Sequence, residues 1–397
     1  VTGCYAEAEP EALRRIEGVA VVVPQHDKGR LADIVEGLPQ RSRRQTTQHE
    51  GHEAHEEKHE DHEVGPSALM SLPVLRGLRV SGELSISGFE GHTRAFLKIQ
   101  DGCDARCSYC IVPLVRGPVR SRPLEAIQRE AERLAANGYR EIVLTGIHLG
   151  AYGRDTGGRP GLCDVIEGLL DVPGLERIRL SSIEVNEFTD RLLALAVGSS
   201  KLCPHFHFPL QSGDDEILRA MNRTYTAAEY LSVLDRARAR IERPSFTTDV
   251  MVGFPGEGER HFQNTLDVCR RAGFSRMHIF PFSPRPGTPA TTMPNRPTRT
   301  EVRAREERLE AVARESALAY KRQFLGQRVN VLVETQRDAR TGKLCGYTER
   351  YVKVAFDGPD GLKNTIVAVA AKSATPRQID GERASEMTFH DSSCRED

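Results

Sequence analysis

From residue 93 onward, short apolar runs alternate with stretches in which apolar residues return every third or fourth position. The first pattern belongs to buried strands and the second to helices with one apolar face. The runs predict strands over 95–99, 141–145, 177–181, 205–209, 246–252 and 276–282. The periodic stretches predict helices over 124–136, 162–170, 190–196 and 259–271, with a helix pair inside 214–240. Pro123 stands where a helix would begin and Gly138 where it would stop. Six consecutive β-α units imply parallel strands joined by right-handed crossovers. Periodicity alone leaves two arrangements, an open doubly wound sheet or a full or partial barrel. A long charged helix over 299–324 follows a Pro/Gly-rich stretch, and its mixed signs predict an exposed element. Beyond Gly326, β segments over 328–334, 346–348, 351–356 and 365–370, with turns at 338–342 and 357–361, predict a small all-β barrel. The polar stretch after Asp380 predicts a frayed end.

Before residue 93 the pattern breaks down. Residues 1–40 read as the remnant of an α/β unit, with a helical stretch opened by Pro10 and a strand over 19–23. In the polar, low-complexity linker 41–78, His49, His52, His55, His59 and His62 would share one face of a helix. Such imidazoles could hold zinc or nickel weakly. Seven acids between His49 and Glu63 against the single Lys58 suit a solvated connector instead. The expected division is therefore a remnant (1–40), a linker (41–78), an α/β domain (79–321) and a small β-barrel domain (322–385).

Composition narrows the classes. A chain of 397 residues, 39 % hydrophobic and 28 % charged, can fill two or three cores. No run approaches the ~18 apolar residues of a membrane span and no secretory signal opens the chain, so a cytoplasmic protein with no membrane partner is expected. The net charge of −1 means that any nucleic-acid binding rests on a local patch. Nine irregularly spaced cysteines speak against a secreted disulfide scaffold and for metal or redox chemistry in a reducing compartment.

That chemistry concentrates in Cys103-Asp-Ala-Arg-Cys107-Ser-Tyr-Cys110, directly after the strand over 95–99. Thiolates are soft ligands for zinc or iron–sulfur clusters. A structural zinc takes four closed protein ligands, yet the next cysteine is Cys163. Three thiolates on a tight loop suit a [4Fe-4S] cube with one iron open to an outside ligand. With Tyr109 before the last cysteine, the set resembles the radical S-adenosylmethionine signature. The resemblance makes Cys103, Cys107 and Cys110 the metal ligands and the catalytic centre. It implies that the open iron chelates S-adenosyl-L-methionine and that one electron cleaves it to a 5′-deoxyadenosyl radical, while the protein orients the reactants and excludes water.

Active sites of parallel β/α folds gather at the carboxyl ends of the strands. There the sequence places Gly146 and His148, Ser182 and Glu184, Gln211, and Gly253 with Gly256. Glycines let a nucleoside approach the backbone, and Ser, Glu and Gln bond its polar parts. Each alone fits an ordinary turn; with Tyr109 they form the candidate cofactor-binding set.

Gly3-Cys4-Tyr5, the cysteine loop, Leu144-Thr145-Gly146-Ile147-His148, Pro209-Leu-Gln211-Ser-Gly213 and Val252-Gly-Phe-Pro-Gly256-Glu257 together resemble the methylthiotransferase family. The likeness covers nearly the whole chain apart from the His/Glu linker. It implies a radical S-adenosylmethionine partial (β/α) barrel, an N-terminal domain carrying a second [4Fe-4S] cluster, and a C-terminal TRAM β-barrel that holds RNA. Family members insert sulfur and a methyl group at an unactivated C–H bond, with a sulfur donor and an electron donor. Three branches act on isopentenyladenosine in tRNA, on threonylcarbamoyladenosine in tRNA, or on a ribosomal protein. The wording at 1–6 and 144–148 is most similar to the threonylcarbamoyladenosine branch, which makes the tRNA anticodon stem-loop the expected partner. Of the three cysteines that the family's N-terminal domain supplies, only Cys4 is present, an expected metal ligand of the second cluster. Because the chain begins at Val1 mid-pattern, truncation is the expected reason, and a non-catalytic RNA-binding relative is the alternative.

Over 322–377, ten Lys/Arg stand against five acids, a local excess that suits phosphate contacts. Tyr347, Tyr351 and Phe356 suit either base stacking or the core of a small barrel. Arg116, Arg120 and Arg122 follow the cysteine loop and are expected to meet phosphate or the cofactor carboxylate. Cys163, Cys203, Cys269, Cys345 and Cys394 show no ligand spacing and are read as structural.

Overall fold

The computed structural model describes residues 92–384. The remnant with Cys4, the histidine-rich linker and Cys394 lie outside the described residues. Six parallel strands, β1 (Ala95–Lys98), β4 (Glu141–Thr145), β5 (Arg177–Leu180), β6 (His205–His207), β7 (Ser245–Val252) and β8 (Arg276–Pro281), form two triplets, β1-β4-β5 and β6-β7-β8. Parallel bridges Ile178–Leu202 and Ser182–His207 join the triplets. Among the described residues no pairing links β1 to β8, so the sheet curls without closing. This decides between the arrangements left open above: the fold is a partial (β/α) barrel. A small antiparallel pair, β2 (Gln100–Asp101) with β3 (Arg120–Ser121), brackets the cysteine loop; the apolar pattern gave no sign of it.

The helices are α1 (Val112–Arg116), α2 (Leu124–Ala136), α3 (Leu162–Leu170), α4 (Asp190–Gly198), α5 (Asp215–Ala220), α6 (Ala227–Arg238), α7 (Glu259–Ala272) and α8 (Arg299–Arg322). Their starts are set by side chains that accept otherwise unpaired N–H groups: Thr189, Asp214, Thr226 and Thr298 each cap one helix. Helix α7 buries Phe262, Thr265, Leu266, Cys269 and Ala272, one stripe at helical spacing. Strands β4 and β5 are buried along both faces, as parallel strands covered by helices require. Cys203, Cys269 and Cys345 are buried and Cys163 half-buried.

Helix α8 departs from the exposed element expected of it. Its charged sequence hides a buried line of Arg305, Leu309, Val312, Ala317, Tyr320 and Lys321. The first half packs on the barrel, where Arg305 pairs with buried Glu257 at 3.0 Å. Tyr320 and Phe324, at its far end, belong to the core of the C-terminal unit.

That unit is a closed five-stranded barrel of β9 (Arg328–Val333), β10 (Leu344–Thr348), β11 (Lys353–Phe356), β12 (Ile366–Ala374) and β13 (Ile379–Arg383), ordered β10-β11-β13-β12-β9. The fraying expected after Asp380 is corrected as far as Arg383, and residues 385–397 lie outside the described residues. Residues through Arg383 belong to β13, because pairing with β11 and β12 closes the barrel and leaves no open edge there. Phe356 is core, whereas Tyr347 and Tyr351 stack on each other, with ring centroids 4.8 Å apart. Arg94 lies over both rings, Arg179 over Tyr351, and His205 packs against Tyr351. Arg177 and Arg179 donate to the carbonyls of Tyr347, Asn330, Thr348 and Glu349. The small barrel is thereby docked on the partial barrel at the strand end opposite the cysteine loop.

Candidate functional site

Gly102 opens the cysteine loop with φ +74°, and a Cβ there would lie 1.8 Å from the Pro118 carbonyl oxygen, so only glycine fits. The loop is clamped at several points. Cys103 N–H donates to Gly117 O at 3.0 Å, and Ser108 bonds Met221 O through its N–H and Ala220 O through its hydroxyl. Asn222 donates to Arg106 O at 2.7 Å, and Ala290 N–H donates to Ser108 O. Buried Gln100 ties the loop to the end of β4: its amide donates to Asp101 O and Gly102 O, and its Oε1 accepts His148 N–H. The three thiols therefore sit on backbone that the barrel holds rigidly at the carboxyl ends of its strands.

Around them stand charged partners. His148 Nδ1 is 3.5 Å from Cys103 Sγ and its Nε2 is 2.8 Å from Glu187. Arg223 reaches Cys107 Sγ at 3.4 Å and also grips Glu184. Burial disfavours charge on His148, but its bonds to Cys103 and Glu187 outweigh this and lift its pKa to about 10. Burial, with the neighbouring thiols, pushes Cys110 up to about 11. A cleft of about 360 Å³ collects Cys107, His148, Arg154, Glu184, Glu187 and Arg223.

Of the expected cofactor residues, His148 and Glu184 are thus gathered at the loop. Tyr109 packs edge-on to Phe254 in a separate apolar cluster, and burial raises its pKa. Gly146 backs onto the Gln100 side chain. Ser182 faces the lumen beside His207. Gln211 is buried at φ +62°, and its Oε1 has no hydrogen-bond partner. Gly253 and Gly256 lie on the turn after β7. Gly253 has φ +79° and would place a Cβ 2.5 Å from Val302 of α8, while its N–H donates to Glu257. Gly256 N–H donates to Asn295 O.

The arginines after the loop are engaged otherwise than expected. Arg122 pairs with Glu130, and Arg116 and Arg120 flank Asp101 at 3.6 and 3.7 Å. Sequence reasoning missed Arg223 and Glu187. Arg223 follows Asn222, whose positive φ turns the chain after α5, and the nearest sequence clue is an arginine set among buried Met221 and Tyr225. Glu187 gives no clue of its own.

The Radical SAM superfamily profile matches residues 97–269. Threonylcarbamoyladenosine tRNA methylthiotransferase MtaB of Thermotoga maritima is 35 % identical over 359 residues, covering 90 % of this chain and 75 % of that protein. The chain belongs to the radical S-adenosylmethionine methylthiotransferase family. The family member of the same name from Bacillus subtilis is 34 % identical over 371 residues, 93 % of this chain and 77 % of that one. A tRNA-2-methylthio-N(6)-dimethylallyladenosine synthase of Pelotomaculum thermopropionicum is 36 % identical over 299 residues, 75 % of this chain and 66 % of that one.

A radical S-adenosylmethionine enzyme uses a [4Fe-4S] cluster and S-adenosylmethionine, and the donor set fits them. Ligands about 2.3 Å from one tetrahedral zinc stand roughly 3.8 Å apart. Among the described residues, the set whose ligand atoms all lie within 4.8 Å of one another is Asp214, Glu216 and His261, and the three thiols are not among them. The three thiols therefore do not all lie within 4.8 Å of one another, a wider spacing than the ligands of a single zinc have. The unpartnered Oε1 of Gln211 offers a buried acceptor to a polar ligand. Among the described residues no helix is long and apolar enough to cross a membrane.

Proposed function

We propose that this chain is a tRNA methylthiotransferase converting N6-threonylcarbamoyladenosine beside the anticodon to its 2-methylthio derivative. The observation that carries the proposal is a clamped three-thiol loop in a chain similar over nine-tenths of its length to a protein named for that activity. When bound, the cluster and S-adenosylmethionine supply a carbon-centred radical. Cys103, Cys107 and Cys110 hold the cluster, Arg223 and His148 fix the orientation of two of those thiols, and Glu184, Ser182 and Gln211 offer polar contacts to the cofactor. Tyr109, Gly146, Gly253 and Gly256 shape the backbone around it.

The β-barrel is assigned as a TRAM unit contacting the anticodon stem-loop, supported by its Lys/Arg excess. A second [4Fe-4S] cluster with Cys4 as a ligand, a sulfur donor and an electron donor complete the proposal, supported by the sequence motifs alone. Isopentenyladenosine is the second reading, favoured by the similarity to the dimethylallyladenosine synthase. Mass spectrometry of tRNA nucleosides from a deletion strain tests both. Loss of 2-methylthio-threonylcarbamoyladenosine supports the proposal, and loss of the isopentenyl product alone replaces it with the second reading. Unchanged levels of both reject the tRNA assignment.

A further inference from the structure

The lumen of the partial barrel holds a cavity of about 280 Å³. Its wall includes Phe96 on edge strand β1 and Arg276 on the opposite edge strand β8, so it lies beside the gap where the barrel fails to close. The charge of this wall is one-sided. Three arginines line it, Arg94, Arg179 and Arg276, and no Asp or Glu does. Two of them are paired, Arg94 with Glu334 through its Nη2 alone and Arg179 with Glu141. Arg276 has no acidic partner among the described residues. The nearest carboxylate along the strand pair, Asp249, is bridged between His207 at 3.3 Å and His278 at 3.2 Å.

The same wall carries three buried polar atoms without any hydrogen-bond partner, Arg94 Nη1, Ser181 Oγ and His205 Nδ1. His205 is only 5 % exposed, and its other ring nitrogen is taken by Thr247 Oγ1 at 3.1 Å. Orphaned polar atoms around a cavity are completed by what fills it, water or the polar groups of a ligand. The two adenosines under consideration differ in what they bring. A dimethylallyl group is a neutral hydrocarbon and satisfies neither these atoms nor Arg276. A threonylcarbamoyl group brings a carboxylate, a hydroxyl and a carbamoyl, enough for a guanidinium, a serine and an imidazole. A site built around hydrogen-bonding groups rejects an analogue that lacks their partners far better than an apolar site rejects an extra group.

We infer that this cavity receives the carboxylate-bearing N6 substituent of the target adenosine and that Arg276 determines that specificity. The inference rests on the tRNA reading above and names the group that selects within it. Its test uses the full chain and equilibrium binding to three synthetic anticodon stem-loop RNAs. These are identical except that the target adenosine carries threonylcarbamoyl, dimethylallyl or nothing at N6. The wild type is expected to bind the threonylcarbamoyl RNA at least about tenfold more tightly than the other two. Arg276→Gln should bring that RNA to the level of the unsubstituted one, whose own affinity stays within about twofold, and Arg276→Lys should keep part of the preference. Ser181→Ala should erode the same preference independently. A wild-type preference for the dimethylallyl RNA overturns the substrate reading itself. Equal binding of all three RNAs by the wild type, or a threonylcarbamoyl preference that survives Arg276→Gln, overturns the inference and leaves that reading standing. An equal loss for all three RNAs assigns Arg276 to phosphate and overturns it too.

Discussion

Single side chains set the chemistry of the thiol loop. Replacing Cys107 with alanine should abolish iron uptake at the triplet and S-adenosylmethionine cleavage. The melting curve should stay within about 1 kcal/mol of wild type, because this half-exposed thiol packs no core. Anaerobic reconstitution followed by iron and 5′-deoxyadenosine assays reads the first two. Arg223→Gln removes the cation beside Cys107 and should weaken iron retention against a chelator by about 10- to 100-fold, the usual effect of losing a group that orients a metal ligand. Lys321 carries a different signal. Burial, with Arg276 nearby, lowers its pKa to about 8. Unfolded, it titrates near ~10.4. Between these values only the unfolded chain holds the proton, so stability rises with pH through that window and the penalty is complete below it. Lys321→Met removes this penalty, so its stability relative to wild type should fall by about 2 kcal/mol from about pH 7.5 to about pH 9.5. Urea denaturation at the two pH values checks it.

At the scale of elements, local signals fix the limits of some helices and conceal the surroundings of others. Helices α2 and α3 match their expected limits to the residue, because Pro123 and Gly138 punctuate the first and a four-residue buried stripe marks the second. Helix α8 differs from the exposed element its charges predict because its buried positions include Arg305 and Lys321, whose charge reads as surface until partners are known. Arg305 donates to both the carboxylate and the carbonyl of Glu257, which in turn accepts Gly253 N–H. Arg305→Met leaves that acid buried and unpaired. It should destabilise the protein by about 3 kcal/mol in urea, more than Glu257→Gln does. The turn carrying Gly253 is thus held by a distant helix, a dependence invisible in local sequence.

At the scale of the molecule, the two barrels share an aromatic and cationic contact centred on Tyr351. Its ring touches Tyr347, Arg94, Arg179 and His205, residues scattered over both units. Tyr351→Ala should cost about 1–3 kcal/mol through lost cation–π and stacking contacts. Calorimetry should then resolve the melt into two transitions where the wild type shows one. The same contact forms part of the wall of the lumen cavity, so this variant should also loosen binding of an N6-substituted stem-loop.

The order of strands and helices, the three-thiol loop and the placement of His148 and Glu184 at strand ends followed from the sequence, because periodicity, capping residues and ligand spacing are local properties. Closure was decided only in three dimensions. Whether β1 and β8 meet depends on how far six strands curl, and no residue encodes that alone. The partners of Arg223 and Arg305 were likewise settled by tertiary structure, since an arginine is surface, glue or ligand according to which carboxylate the fold brings near it.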